Sequence, residues 1–221
     1  MLAKDLISDF IPALKTSDTG IQALNWMEIS RISHLPIVNN KEFLGLISDT
    51  DIYDLNMAEE PIGNHKLSLS RPYVTENQHV YEVIDLVSRL RLSIIPVLDD
   101  KNQYLGLITL NDLLQSFAKI TAVENRGSII VLELNNNDYY LSQIAQIVES
   151  NDAKILSLYV SLSEDSTKLV VTIKLNVTNI SAIIQTFVRY DYIIKAHFME
   201  DNEFNNMYQN RFDSFMRYLN I

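Results

Sequence analysis

Cysteine is absent from this sequence of 221 residues. Its absence excludes disulfide bonds, thiol nucleophiles and cysteine-ligated metals, and it permits a reducing compartment. Long apolar runs are absent too, since none approaches the roughly 18 residues that a membrane-spanning helix needs. The opening segment 1–10 is acidic and has only a short apolar stretch, which argues against a signal peptide. We therefore predict a cytoplasmic protein without a membrane partner.

Basic residues are too few to balance the acidic ones. Lysine and arginine number 18 against 28 aspartates and glutamates, which gives a formal net charge of −10. Such a surface would repel a phosphate backbone, so we predict no nucleic-acid partner. Hydrophobic residues form 47% of the chain and charged residues 21%, which favours a folded globular protein over a disordered one.

One pattern occurs twice, about sixty residues apart. The first copy, LPIVNNKEFLGLISDTD, covers 35–51, and the second, IPVLDDKNQYLGLITLND, covers 95–112 with one extra residue in its turn. Each copy predicts a short extended segment, a helix, a strand, a turn, a strand and a second helix. A unit of this size buries its helix faces poorly alone, so we predict that two copies, 1–60 and 61–120, pack together.

The pattern changes after residue 124. β-Branched runs predict strands over 128–134, 154–162, 167–175 and 192–199, and apolar spacing predicts helices over 140–150 and 180–190. This order is the ferredoxin-like split βαβ arrangement, which we predict for 126–200. The tail, 201–221, predicts an amphipathic helix that covers an apolar surface of this chain or of a partner. Its apolar residues are Phe204, Met207, Tyr208, Phe212, Phe215, Met216 and Leu219.

The duplicated pattern resembles a tandem pair of CBS domains, the regulatory nucleotide-binding unit also called a Bateman module. The resemblance covers about 1–120 and rests on Leu-Pro-Ile-Val with Gly-Leu-Ile-Ser-x-x-Asp, and on Gly-Leu-Ile-Thr-x-x-Asp in the second copy. The segment 126–200 is similar to an ACT domain through its element order. The whole order resembles that of acetoin-utilisation-type regulatory proteins. It implies an α+β fold: a tandem CBS pair, then a ferredoxin-like ACT-type βαββαβ domain and a terminal helix.

A hydroxyl residue and an aspartate stand three apart at each predicted strand-to-helix junction, as Ser48 with Asp51 and Thr109 with Asp112. One interpretation is a capping box, in which the two side chains satisfy amides at the start of the helix. The other is a ligand site, because exposed amides favour a phosphate and a carboxylate can accept both hydroxyls of a ribose. The two interpretations are compatible, and the sequence leaves both open.

The family resemblance implies two ligand sites, each shared between the copies. The ligand would be an adenine nucleotide (AMP, ADP or ATP) acting as a regulator, with no cofactor. One site would use Ser48, Asp51 and His34, with Tyr73, Val74, Leu92 and Ser93 near the base. The other would use Thr109 and Asp112, with Ile32, Ser33, Ala13 and Leu14 near the base.

The residue two before the repeat proline often faces phosphate in this family. It is His34 in the first copy and Ile94 in the second. An imidazole can donate to phosphate and isoleucine cannot, so we rank the Asp51 site above the Asp112 site. His34 could equally be a surface histidine beside a strand. Arg31 and Arg91 occupy equivalent positions and are either phosphate ligands or solvated charges at helix ends.

The ACT-like segment departs from its pattern at the loop where amino-acid-binding relatives carry Asp-x-Pro-Gly-x-Leu. Asp138 and Tyr139 stand in place of the proline and glycine. A tyrosine fills the space that a glycine would leave for a ligand, which argues against amino-acid binding. The resemblance then implies dimer contact, and we predict a homodimer.

No catalytic motif is present in the sequence. It has no glycine-rich phosphate loop, no Gly-x-Ser-x-Gly and no paired-histidine metal motif, so we predict neither an enzyme nor a metal site. The leading hypothesis is a nucleotide sensor that passes its state to the ACT-like domain or to a regulated protein partner. The alternative is a structural dimerisation platform without a ligand.

Overall fold

The computed structural model describes residues 1–8, 10–54, 58–64, 70–163 and 167–199. The chain forms two compact units, Met1–Ser116 and Phe117–Ile221. The predicted terminal helix over 201–221 lies outside the described residues. The domain boundaries at 60, 120, 126 and 200 stay predictions.

The first repeat contains helix α1 (Gly20–Ser30), strands β1 (His34–Asn39) and β2 (Glu42–Ser48), and helix α2 (Asp49–Asp54). Thr19 begins α1 in a capping box: its hydroxyl accepts from Gln22 N at 3.4 Å and its amide donates to Gln22 Oε1 at 2.9 Å. β1 and β2 pair antiparallel. The extended segment before α1 adds a parallel bridge between Leu14 and Ile37.

The second repeat has the same order: β3 (Val74–Thr75), α3 (Val80–Leu90), β4 (Ile94–Leu98), β5 (Tyr104–Thr109) and α4 (Leu110–Ile120). β3 pairs parallel and β5 antiparallel with β4. α1 and α3 both end on an arginine in the left-handed conformation, Arg31 and Arg91, each with φ of 53°. The sequence similarity between the copies therefore extends to an unusual backbone geometry.

The two repeats are interlocked by exchanged segments. Ser8 N donates to Leu107 O of the second repeat at 2.8 Å, and Leu46 N of the first repeat donates to Ser70 O at 2.9 Å. The core of the second repeat also incorporates Phe43 and Leu46 from the first. Each core contains residues of the other repeat, since Ile62 likewise lies in the core of the first. The two repeats therefore pack together, as the small size of each copy predicted.

The second unit contains β6 (Ile129–Asn135), α5 (Leu141–Glu149), β7 (Ile155–Leu162), β8 (Lys168–Leu175), α6 (Ser181–Arg189) and β9 (Ile193–Phe198). The strands form one antiparallel sheet in the order β7-β8-β6-β9. Alternate residues of β6 and β8 enter the buried core, among them Ile130, Leu132, Val171 and Ile173. Helices α5 and α6 complete this core, with Phe187 of α6 fully buried. This confirms the predicted ferredoxin-like order.

Candidate functional site

Asp51 lies in the first turn of α2, where its carboxylate contacts the end of β2. Asp51 Oδ2 accepts from Ser48 N at 2.8 Å and from Ser48 Oγ at 2.7 Å, and Asp51 N donates to Ser48 Oγ at 3.1 Å. Thr50 Oγ1 lies 2.8 Å from the same serine hydroxyl. Within the described part of the chain, no donor reaches Asp51 Oδ1. Because Asp51 is exposed, its Oδ1 can accept a hydrogen bond from a ligand or from water.

The second junction repeats this geometry. Asp112 Oδ2 accepts from Thr109 N at 3.1 Å and from Thr109 Oγ1 at 2.6 Å, while Asp112 N donates to Thr109 Oγ1 at 3.0 Å. Thr109 is buried and Asp112 is half-buried. Both predicted capping arrangements therefore form. Each cap uses one carboxylate oxygen, Oδ2, and no donor among the described residues reaches the other.

Ser93 connects the repeats beside the first junction. Its Oγ accepts from Ser33 N at 3.0 Å and lies 3.0 Å from His34 Nδ1. His34 is also the strand partner of Ser48. The structure thus brings His34, Ser48 and Asp51 of one repeat together with Ser93 of the other.

Ser33 and Ser93 hold equivalent positions at the two junctions. Ser33 O accepts from Asp49 N and Ser93 O accepts from Leu110 N, both at 3.1 Å. Each serine carbonyl therefore anchors the start of the helix that carries its own repeat's aspartate.

The pKa of His34 is lowered because burial disfavours its charged form, although the charges of Asp49 and Asp51 oppose the shift. Because Ser33 N donates to the Ser93 oxygen, the Ser93 hydroxyl proton can be given to Nδ1 of a neutral His34. The proton of that imidazole is then on Nε2, where it can be donated to a ligand.

This lowered pKa makes stability depend on pH. A folded-state pKa below 6.5, the unperturbed value, means that the unfolded chain binds the extra proton more readily. His34 therefore contributes stability that is present above about pH 6.5 and lost as the pH falls through the lowered value. We expect His34→Gln to lose less stability than the parent between pH 7 and pH 5 in urea titrations.

His197→Gln is the matched control for that experiment, because His197 is exposed on β9. A His197 variant that flattens the pH profile as much as His34→Gln would contradict the assignment.

The predicted base-lining residues differ in what they can offer. The side chains of Leu14 and Val74 are 2% and 1% exposed and lie within the cores, so only their main chain could meet a base. Leu92 is buried as well, whereas Tyr73 is exposed. Ala13 and Ile32 are partly buried. In the described part of the chain, no hydrogen bond links any of these six to Asp51 or Asp112.

Sequence reasoning missed one polar group at the Asp51 junction, the Thr50 hydroxyl. It stands next to Asp51 in the sequence, so placing the residues of the first helical turn could have found it. Asp49 belongs to the acidic start of α2, and its charge acts on His34. Arg31 and Arg91 are exposed. Ile94 is 1% exposed, so its side chain presents nothing to a phosphate.

Among the described residues, no helix is long and apolar enough to cross a membrane. No group of three histidine, aspartate or glutamate side chains in these same residues is placed to hold a metal ion.

Comparison with known proteins identifies the repeats. The CBS domain family model matches residues 3–58 and 61–119. A curated relative, inosine-5′-monophosphate dehydrogenase of Methanocaldococcus jannaschii, is 29% identical over 116 residues, which are 51% of this chain and 23% of the relative. The chain thus spans about a quarter of that relative's length.

Solved structures similar to the chain include a CBS domain pair/ACT domain protein from Thermotoga maritima. It has a TM-score of 0.48 and 22% identity, covering 54% of this chain and 98% of that one. Another is CBSX2 in complex with AMP, with a TM-score of 0.47 and 17% identity, covering 54% and 97% of the two chains.

Proposed function

Because this chain belongs to the CBS-domain family, we propose that it is a non-catalytic regulatory protein that binds an adenine nucleotide between its two repeats. The observation that supports this most is a series of contacts across the repeats: Asp51 holds Ser48, and His34, the strand partner of Ser48, contacts Ser93 of the other repeat. These groups combine a carboxylate oxygen, hydroxyls and an imidazole at one junction. A ribose and a phosphate together require that set of partners.

Each side chain has a distinct role in this proposal. Asp51 Oδ1 accepts from the ribose hydroxyls while Oδ2 keeps the helix cap. His34 Nε2–H and the Thr50 hydroxyl donate to phosphate oxygens. The first amides of α2 take no part, because they already donate to Ser33 O, Asp49 Oδ1 and Ser48 Oγ. Val74 and Leu92 line the base, mainly through their main chain. Tyr73, which the resemblance also implied there, lines a separate cleft at the turn end of the strands, and we leave it out of this site. The Asp112 site, with Thr109, Ser33, Ile32, Ala13 and Leu14, is the weaker of the two because Ile94 replaces the imidazole.

A sensor must bind its ligand better in one conformation than in another. Helix α4 begins beside Thr109 and continues to Ile120, and the division between the two compact units falls within it. We place the transmission of the nucleotide state to the ACT-like domain, or to a regulated protein partner, along this helix. A homodimer is part of the same proposal.

A thermal-shift panel of AMP, ADP, ATP and adenosine tests the function. A nucleotide that binds only the folded state adds about 2.7 kcal/mol of stability when present at a hundred times its Kd. We expect at least one adenine nucleotide to raise the melting temperature, with adenosine giving a smaller rise because it lacks the phosphate. Guanosine and cytidine nucleotides serve as controls for base selection.

The second candidate is a structural platform without a ligand. It is favoured by the two helix caps, which form from the chain's own atoms and account, without a nucleotide, for the spacing that the two repeats share. If millimolar concentrations of all adenine nucleotides leave the melting temperature unchanged, the platform is the correct function.

A further inference from the structure

The repeats form a second cleft at the opposite end of their strands from the two aspartates. Its volume is about 580 Å³, within the usual range for small-molecule sites. The turn 40–43 lines one side and the turn 101–103 another, with Arg71, Tyr73 and Leu98 completing the wall. His34 and Asn39 mark the two ends of β1, which at about 3.3 Å per residue lie roughly 17 Å apart. The cleft is therefore separate from the Asp51 junction.

Hydrogen bonds fix the shape of this cleft. Asn40 and Lys41 form a two-residue turn in which both φ angles are positive, 47° and 71°. Lys41 O accepts from Tyr104 N of the second repeat at 2.8 Å, and the Arg71 guanidinium donates to Phe43 O. In the other turn, Asp99 Oδ1 accepts from the amides of Lys101 at 2.8 Å and Gln103 at 2.7 Å. The turns of both repeats are thus held together before any ligand arrives.

The charge of the cleft is opposite to that of the protein. Lys41, Arg71 and Lys101 line it against a single carboxylate, Glu42, although the chain as a whole carries −10. Within the described part of the chain, none of these three cations forms an ion pair with a carboxylate. The second turn also carries Asp99 and Asp100, neither of which lines the cleft, and Asp99 directs one oxygen to main-chain amides. Three unpaired cations in one cleft repel one another unless an anion enters.

The remaining lining residues suit an anion that also carries polar groups able to form hydrogen bonds. Asn40, Asn102 and Gln103 add amide donors, and the exposed ring of Tyr73 adds an aromatic face. A guanidinium pairs two oxygens of one phosphoryl group, and two lysines act as point charges for others.

From this arrangement we propose that the cleft is a second effector site, which binds a small phosphorylated anion carrying at least two negative charges. The site needs neither Asp51 nor Asp112, and it combines cations from both repeats.

Titration calorimetry with inorganic tripolyphosphate at low salt tests this site, because the probe has no base or ribose for the nucleotide junction. The variant is Lys41→Asn with Lys101→Gln, since asparagine tolerates the left-handed φ of position 41. Its matched control, Lys4→Gln with Lys15→Gln, removes the same charge from exposed positions away from the cleft. We expect the cleft variant to weaken binding about tenfold or more and the control less than about threefold.

Three results would overturn the proposal. If the two double variants lose the same affinity for tripolyphosphate, the probe is attracted by the general charge of the surface and not by the cleft. If the parent protein does not bind the probe at millimolar concentration, no such site exists. A tenfold loss in His34→Gln would assign the anion to the nucleotide junction instead. Citrate separates the chemical classes: we expect it to bind more weakly than tripolyphosphate, and equal affinity would exclude selection for phosphate.

Discussion

Asp51→Asn is expected to weaken binding of the preferred adenine nucleotide about ten- to a hundredfold while the protein stays folded. The loss corresponds to a hydrogen bond with a charged partner, about 1.5–3 kcal/mol. Asparagine retains one oxygen, which can continue to accept from Ser48 N and Oγ as Asp51 Oδ2 does. The atom that changes is the second oxygen, the one that would accept from the ribose, because it becomes an amide donor.

Asp112→Asn is the internal control for this experiment because its cap has the same geometry. The proposed ranking of the sites requires a smaller effect there. Isothermal titration at constant pH measures both affinities, and circular dichroism checks that each variant is folded. If Asp51→Asn binds the nucleotide as tightly as the parent, the Asp51 carboxylate does not contact the ligand. If Asp112→Asn loses more affinity than Asp51→Asn, the proposed ranking of the two sites is wrong.

The fold was largely predictable because its determinants are local and occur twice. The matching segments around Pro36 and Pro96 specify the strand–turn–strand units, and β-branched runs after residue 124 specify the sheet of the second unit. The chain exchange between repeats was not predictable in detail. Ser8 and Leu107 are brought together only by tertiary packing, and the local sequence of neither segment predicts which segment it pairs with.

The candidate site was predictable in part for the same reason. Ser48 and Asp51 are three residues apart, so a helix start brings them together and spacing alone is enough. The bond between His34 and Ser93 spans 59 positions and depends on how the two repeats meet. The family resemblance placed both residues near one site, but the contact itself required coordinates. The likeness to acetoin-utilisation regulators, the ACT-type ligand loop and the homodimer stay predictions.

The cation-lined cleft shows a different limit of sequence reasoning. Lys41 and Lys101 belong to turns that the repeat pattern marks as solvated connections, and Arg71 lies outside the repeated motif. Lys41 and Lys101 lie close together because the bridge between Glu42 and Gln103 joins the two turns, and Arg71 is held beside them by its bond to Phe43 O. Charges that are scattered in a sequence of net charge −10 can therefore still create a positive site.

Gly127→Ala is expected to destabilise the second unit by about 3 kcal/mol, the upper end of the usual cost of steric overpacking. Gly127 has a φ of 143°, and a Cβ there would lie 1.8 Å from Leu175 O. That carbonyl belongs to the sheet, so it cannot swing aside as a long side chain could. Ser128 N donates to Val177 O at 2.9 Å and Leu175 N donates to Ser128 O at 2.8 Å, so relieving the clash would break the start of the β6–β8 pairing.

Arg126→Ala is the matched control, since Arg126 is the exposed neighbour of this glycine and its loss should change stability by less than about 0.5 kcal/mol. Urea unfolding of both variants measures the difference, and the nucleotide-induced thermal shift provides a second readout. Because the clash lies in the second unit and the candidate nucleotide residues lie in the first, Gly127→Ala should retain nucleotide binding at low temperature. A stability loss below about 1 kcal/mol would mean that the β6 start moves freely, and loss of binding would mean that the nucleotide site depends on an intact ferredoxin-like unit.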